Sequence, residues 1–116
     1  MIKFFVTFFL FLSFSVLSFA GIKVGLVLDK GGKDDKSFNT SAYEGATKAQ
    51  KELGIELKYV EATDTNAFEV LHRTFAQKNY DLVIGIGFAQ TDAVKKVAAL
   101  FPKTQFAIVD GDVAAA

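Results

Sequence analysis

Past residue 20, the apolar positions of this chain alternate between two rhythms. Ile22 to Leu28 is a nearly continuous apolar run closed by Asp29, the pattern of a strand buried on both faces. A polar loop with Gly31-Gly32 follows, from Lys30 to Lys36. From Ser37 the period lengthens. Phe38, Ala42, Ala46, Ala49 and Leu53 share one helical face, and Glu44, Lys48 and Lys51 lie off it. Ser41-Ala42-Tyr43-Glu44 fits a capping box, Ser37 is the other candidate start, and Gly54 supplies the left-handed terminus. Ile55 to Glu61 alternates apolar and polar, as an edge strand does. Thr63 to Asn66 is a turn with N-cap residues, and Ala67, Val70, Leu71, Thr74 and Phe75 form the next helical stripe. Leu82 to Ile86 is a third, fully apolar strand. Ala89, Ala93, Val97 and Leu100 or Phe101 make a third helix, stopped by Pro102. Gln105 to Val109 is a fourth strand, followed by Asp110-Gly111.

Strands alternating with helices imply an α/β domain with a parallel sheet and right-handed crossovers. The alternating second strand belongs at an edge, so the predicted strand order is 2-1-3-4, with helices on both faces. In such sheets a ligand lies beyond the C-terminal strand ends, at the switch point between strands one and three. Three segments meet there: Asp29 with the loop to Asn39, Gly85-Ile86-Gly87-Phe88, and Asp110-Gly111-Asp112.

The first 20 residues follow a different rule. Lys3 gives a short positive n-region, Phe4 to Val16 is almost wholly apolar, and Ser18-Phe19-Ala20 sets small residues at the −3 and −1 positions of a cleavage site. A membrane span needs about 20 apolar residues, and this run is nearer 13. The pattern therefore predicts a signal peptide over 1–20, with Gly21 as the mature N-terminus and residues 21–116 as one partial domain. Lys plus Arg and Asp plus Glu both count 13, a balance that speaks against a non-specific nucleic-acid binder. The chain has no cysteine, which excludes disulfides, thiolate-held zinc and a thiol nucleophile.

Among the rim residues, Asp29 and Asp110 are placed to accept hydrogen bonds from ligand hydroxyls. Phe38 and Phe88 offer aromatic faces for a flat ring, and Asn39 can donate and accept at a ring edge. Each has a plainer reading. Asp29 can anchor its loop, and Asp110 can mark a turn. Phe38 lies in register with the apolar helix face, and Phe88 can be buried as a staple. Gly85 and Gly87 can serve a tight β-to-α turn. Asp34 and Asp35 precede a helix and read as capping charges. His72, the only histidine, falls mid-helix without an evident partner and reads as structural or exposed.

Enzyme motifs are weak. Gly85-Ile86-Gly87 lacks the third glycine of a dinucleotide fingerprint, and Gly31-Gly32-Lys33 lacks the ending of a phosphate loop. His72 is misplaced for a Ser-His-Asp set, and the rim carboxylates match no calcium loop. No cofactor or metal is called for.

Val24-Gly25-Leu26-Val27 to Asp29, followed by Gly31-Gly32-Lys33-Asp34-Asp35-Lys36-Ser37-Phe38-Asn39, strongly resembles the start of the basic membrane protein family, the substrate-binding proteins of ABC transporters that include purine-nucleoside receptors. Glu44-Gly45, Lys51-Glu52-Leu53-Gly54, Tyr80-Asp81-Leu82-Val83, Gly85-Ile86-Gly87-Phe88 and Phe106-Ala107-Ile108-Val109-Asp110-Gly111 continue the match over residues 22–111. The resemblance implies the first part of lobe one of a two-lobed, type I periplasmic binding protein. It implies a purine nucleoside or related small solute between the lobes, delivered to a membrane ABC permease. Asp29, Phe38, Asn39 and Asp110 resemble the first-lobe contacts, with Gly87 and Phe88 nearby. The location it implies is outside the cell membrane, periplasmic or held at the surface.

Two departures matter. Gly21 stands where a lipoprotein signal carries cysteine, and the chain covers only about the first third of a family member. The rival expectations are a non-binding remnant or incomplete gene product, and a small nucleotide-using α/β enzyme.

Overall fold

The computed structural model describes residues 21–113. The expected leader over 1–20 and its cleavage site before Gly21 lie outside the described residues, apart from Gly21 itself. Among the described residues four strands form one parallel sheet: β1 (Lys23–Leu28), β2 (Glu56–Glu61), β3 (Leu82–Ile86) and β4 (Gln105–Val109). Their order is β2-β1-β3-β4, as the alternating edge pattern of Ile55 to Glu61 predicts. Three α-helices connect them: α1 (Phe38–Leu53), α2 (Ala67–Gln77) and α3 (Thr91–Leu100), with one 3-10 turn over Phe88–Gln90 ahead of α3.

The period-two geometry of β1 divides the core. Leu26 and Leu28 face α1 and pack with Ile86, Ala42, Tyr43 and Ala46. Val27 faces the other way, into a cluster of Phe68, Phe75, Tyr80 and Val83 beneath α2, with Ala93 of α3 against it. Helices thus cover both faces. On the α1 side the cover is partial. An apolar groove of ≈ 480 Å³ runs between α1 and the sheet, lined by Phe38, Ala42, Ala46, Ile84, Ile86 and Val109 among others.

Ser37 rather than Ser41 occupies the N-cap position of α1, and its side chain makes no capping bond. The capping charge is Asp35. Its carboxylate accepts N–H groups from Ser37, Asn39 and Thr40 at 2.9, 3.1 and 3.0 Å. Gly54 closes α1 in the left-handed conformation, as its sequence position predicts.

Two helical stripes differ from the sequence reading. In α2 the buried residues are Phe68, His72, Phe75 and Ala76, while Val70 is 63 % exposed. The helix is rotated so that its larger ring, Phe68, fills the core instead of Val70, which recovers more buried apolar area. In the third helix Ala89 and Leu100 are exposed, and the inward positions are Gln90, Val94 and Val97.

Candidate functional site

The β1–β3 ladder runs as far as Val27 opposite Gly85. Asp29 and Gly87 stand just beyond, at the switch point. Gly87 adopts φ 107°, a backbone region that side chains rarely enter, and a Cβ there would stand 2.9 Å from Asp29 Oδ2. The loops after β1 and β3 therefore touch, carboxylate against bare backbone. Asp29 Oδ1 accepts the Lys30 N–H at 2.7 Å, and among the described residues no donor meets Oδ2. The Gly87 N–H donates to Val109 O at 2.9 Å, which brings the end of β4 and Asp110 onto the same rim. Asp110 is exposed and holds a positive φ of 62°, strain tolerated by aspartate more readily than by most residues.

The two aromatic candidates are both accessible. Phe88 is 73 % exposed, so it is not buried as a staple. Phe38 is 42 % exposed and lines the α1 groove together with Ile86 and Val109. Asn39 differs from the sequence expectation. It is only 3 % exposed, and its amide is engaged below the rim. Its Oδ1 accepts the Asp29 N–H at 2.9 Å, and its Nδ2 donates to Asp35 Oδ2 at 3.0 Å and lies 3.4 Å from Lys30 O. A helix-borne amide that satisfies a loop's own backbone is not free to read a ring edge.

The loop before α1 is built on that network. Burial raises the pKa of Asp35, but the N–H groups of Thr40, Ser37 and Asn39 and the Thr40 hydroxyl outweigh it and hold the carboxyl well below the usual carboxylate range. Glu61, at the end of β2, accepts the Lys33 N–H at 3.0 Å and ties the loop to the sheet edge. Asp34 is paired instead with the Lys33 ammonium at 2.8 Å on the surface.

Gln90 is absent from the sequence-based set and sits directly under the rim. It is fully buried, and its Nε2 donates to Val27 O and Ile86 O, both at 2.9 Å. Those two acceptors fix the amide's orientation, so Oε1 is the atom facing His72 Nε2 at 2.7 Å. His72 is therefore structural, as one of its two readings held, yet it is fully buried and partnered. Its Nε2 carries the proton, and among the described residues Nδ1 has no partner. Burial pushes its pKa down, against a smaller opposing effect of the Gln90 bond. Gly85 gives the pair room: a Cβ there would lie 3.0 Å from Gln90 Oε1 and 3.2 Å from the His72 ring. The signal for Gln90 was its place at i, i+4 and i+7 with Val94 and Val97, hidden by its polarity.

Among the described residues, a parallel sheet with helices on both faces carries carboxylates and exposed rings at its C-terminal rim, and solved solute-binding proteins share this fold. A solved ABC-transporter solute-binding protein from Aeropyrum pernix K1 shares this fold, with a TM-score of 0.75 and 29 % identity over 81 % of this chain and 26 % of that one. The family of PnrA-like ABC-transporter substrate-binding proteins, Bmp, matches residues 22–116, and the chain belongs to it. An uncharacterised lipoprotein of Pyrococcus abyssi is 40 % identical over 90 residues, 77 % of this chain and 22 % of its own length. The ABC transporter nucleoside-binding protein BmpA of Lactococcus lactis subsp. cremoris is 34 % identical over 93 residues, 77 % of this chain and 26 % of its own length. The chain thus spans about a quarter of these relatives, less than the third that the resemblance suggested.

Proposed function

We propose that this chain forms the first-lobe face of a purine-nucleoside site in an exported binding protein that serves an ABC importer. Asp29 and Asp110 accept hydrogen bonds from ribose hydroxyls or base nitrogens, Phe38 and Phe88 supply aromatic surface, and Gly87 gives the Asp29 carboxylate its room at the rim. Asn39 holds Asp29 in place from below. The observation that carries this is the rim itself: Asp29 Oδ2, unpaired among the described residues, beside Gly87, with Phe88 exposed one residue on. Carboxylates suit polyhydroxyl ligands, because charge-assisted hydrogen bonds are strong and reward correct geometry. The nucleoside-binding relative from L. lactis supports the ligand class, and the apolar leader supports export.

A chimera tests this. Residues 22–111 replace the matching segment of the L. lactis protein, and guanosine, adenosine and inosine are titrated by calorimetry. The expected result is retained nucleoside binding that Asp29→Ala and Asp110→Ala each weaken. A folded chimera that binds none of the three sinks the proposal.

A further inference from the structure

We infer that Gln90 is a positioning residue that sets the spacing of the rim, resting on the proposed function above for what the rim binds. The argument begins at the point where β1 and β3 stop pairing. Parallel strands hold each other through their backbone groups, and the register of this pair ends at Val27 and Gly85. One residue further along each chain come the departures toward Asp29 and Gly87. The carbonyls of Val27 and Ile86 are bridged there by one side-chain NH₂ group, at 2.9 Å each. A single primary amide has two N–H bonds, and both are spent on holding the two strand ends at a fixed separation.

The bridge is itself braced. Gln90 Oε1 meets His72 Nε2 at 2.7 Å, so α2 supports the amide from the far side of the core. A buried glutamine with both ends of its amide satisfied is stiff, because any rotation breaks several bonds in a dry environment. Gln90 belongs to the same short turn as Phe88, and its own N–H donates to Gly87 O at 3.1 Å. Side chain and backbone of one residue thus fasten both the strand fork and the turn that carries the exposed ring. An apolar residue would fill the same space, but it would leave the carbonyls of Val27 and Ile86 without this link.

The test is NMR-detected hydrogen exchange on the L. lactis chimera and on its Gln90→Met variant. The amides of Asp29 and Gly87 report the rim, and those of Leu26 and Val97 report the core. Exchange at Asp29 and Gly87 should rise about tenfold or more, with the core amides much less affected, as loss of local hydrogen bonds predicts. A uniform rise at all four amides, or none at any, overturns the proposal. Because Gln90→Met also strands the His72 N–H, a second variant, Gln90→Met with His72→Leu, removes both polar partners. It should recover core protection while the rim stays fast. Full recovery of the rim would mean that Gln90 is only a packing residue. Guanosine titration of the L. lactis chimera with Gln90→Met separates the two proposals. Binding by the parent chimera that the variant weakens supports both. A parent that fails to bind removes the nucleoside reading and leaves the exchange result to decide on Gln90.

Discussion

Asp29 and Gly87 are matched across the β1–β3 fork: the carboxylate occupies the space where any side chain at position 87 would begin, 2.9 Å from its Cβ position. Two demands therefore fall on Gly87 together, a positive φ of 107° and an absent Cβ. Gly87→Ala should cost about 1–3 kcal/mol of stability through backbone strain alone. It should also displace Asp29 and weaken nucleoside binding in the chimera. Urea denaturation and calorimetry on the same protein check this. An unchanged midpoint would mean that the turn relaxes without strain.

Asp110 separates stability from binding. In its left-handed conformation, replacement by glycine relieves strain while adding freedom to the unfolded chain, so Asp110→Gly should stay within about 1 kcal/mol of the parent. Removing an acid that accepts hydrogen bonds from ribose should cost about 1.5–3 kcal/mol of affinity. Both quantities are read in the L. lactis chimera, by denaturation and by guanosine titration. Equal affinity for the two proteins would take Asp110 out of the site.

Acid should loosen the protein in two stages. His72 has a folded pKa below its ordinary 6.5, because burial disfavours the imidazolium, so the unfolded chain takes up this proton first. Its contribution is complete above pH 6.5 and is lost as pH falls through the folded value. Asp35 likewise has a folded pKa below its ordinary 3.8, so its contribution holds above that pH and fades beneath it as the loop's N–H groups lose their carboxylate. Thermal denaturation across pH 3 to 8 should show Tm falling from near pH 6.5 downward. His72→Phe should flatten the upper stage, and Asp35→Asn the lower. A His72→Phe curve parallel to that of the parent would show that the imidazole takes up its proton equally in the folded and unfolded states.

The sheet was legible because strands β1, β3 and β4 are written as short apolar runs and β2 as an alternation, and those patterns fix order as well as existence. The rim followed from topology: Asp29, Gly87, Phe88 and Asp110 all come directly after strand ends. What escaped depended on partners far apart in sequence. The α2 stripe has two neighbouring solutions, one through Val70 and one through Phe68, and only the sheet beneath chooses. His72 is buried because Gly85 leaves room and Gln90 supplies an acceptor, facts spread over three segments. Asn39 looked free because nothing local shows that the Asp29 N–H turns back onto it.

The groove beside α1 leads to the last expectation. Phe38 and Val109 are 42 % and 43 % exposed at one end of it, and the small side chains of Ala42, Ala46 and Ala49 leave its floor open toward Ile84 and Ile86. Contiguous apolar surface of this kind marks an interaction site or an aggregation liability. Beside it, β4 pairs only with β3 among the described residues, so its other edge presents unpaired backbone groups next to Phe106 and Ile108. Residues 21–116 alone should therefore bind an apolar dye and associate at rising concentration. They should hold guanosine only weakly, since a rim open on one side falls well short of the 70–90 % burial of a typical ligand site. Ala49→Glu puts a charge on the groove at a half-buried helical position. It should suppress association while changing stability by no more than about 0.5 kcal/mol. Analytical ultracentrifugation with a guanosine titration decides the matter. A monomer at all concentrations with tight one-to-one binding would mean that the exposed groove is harmless and that one face of the cleft is enough to hold the nucleoside.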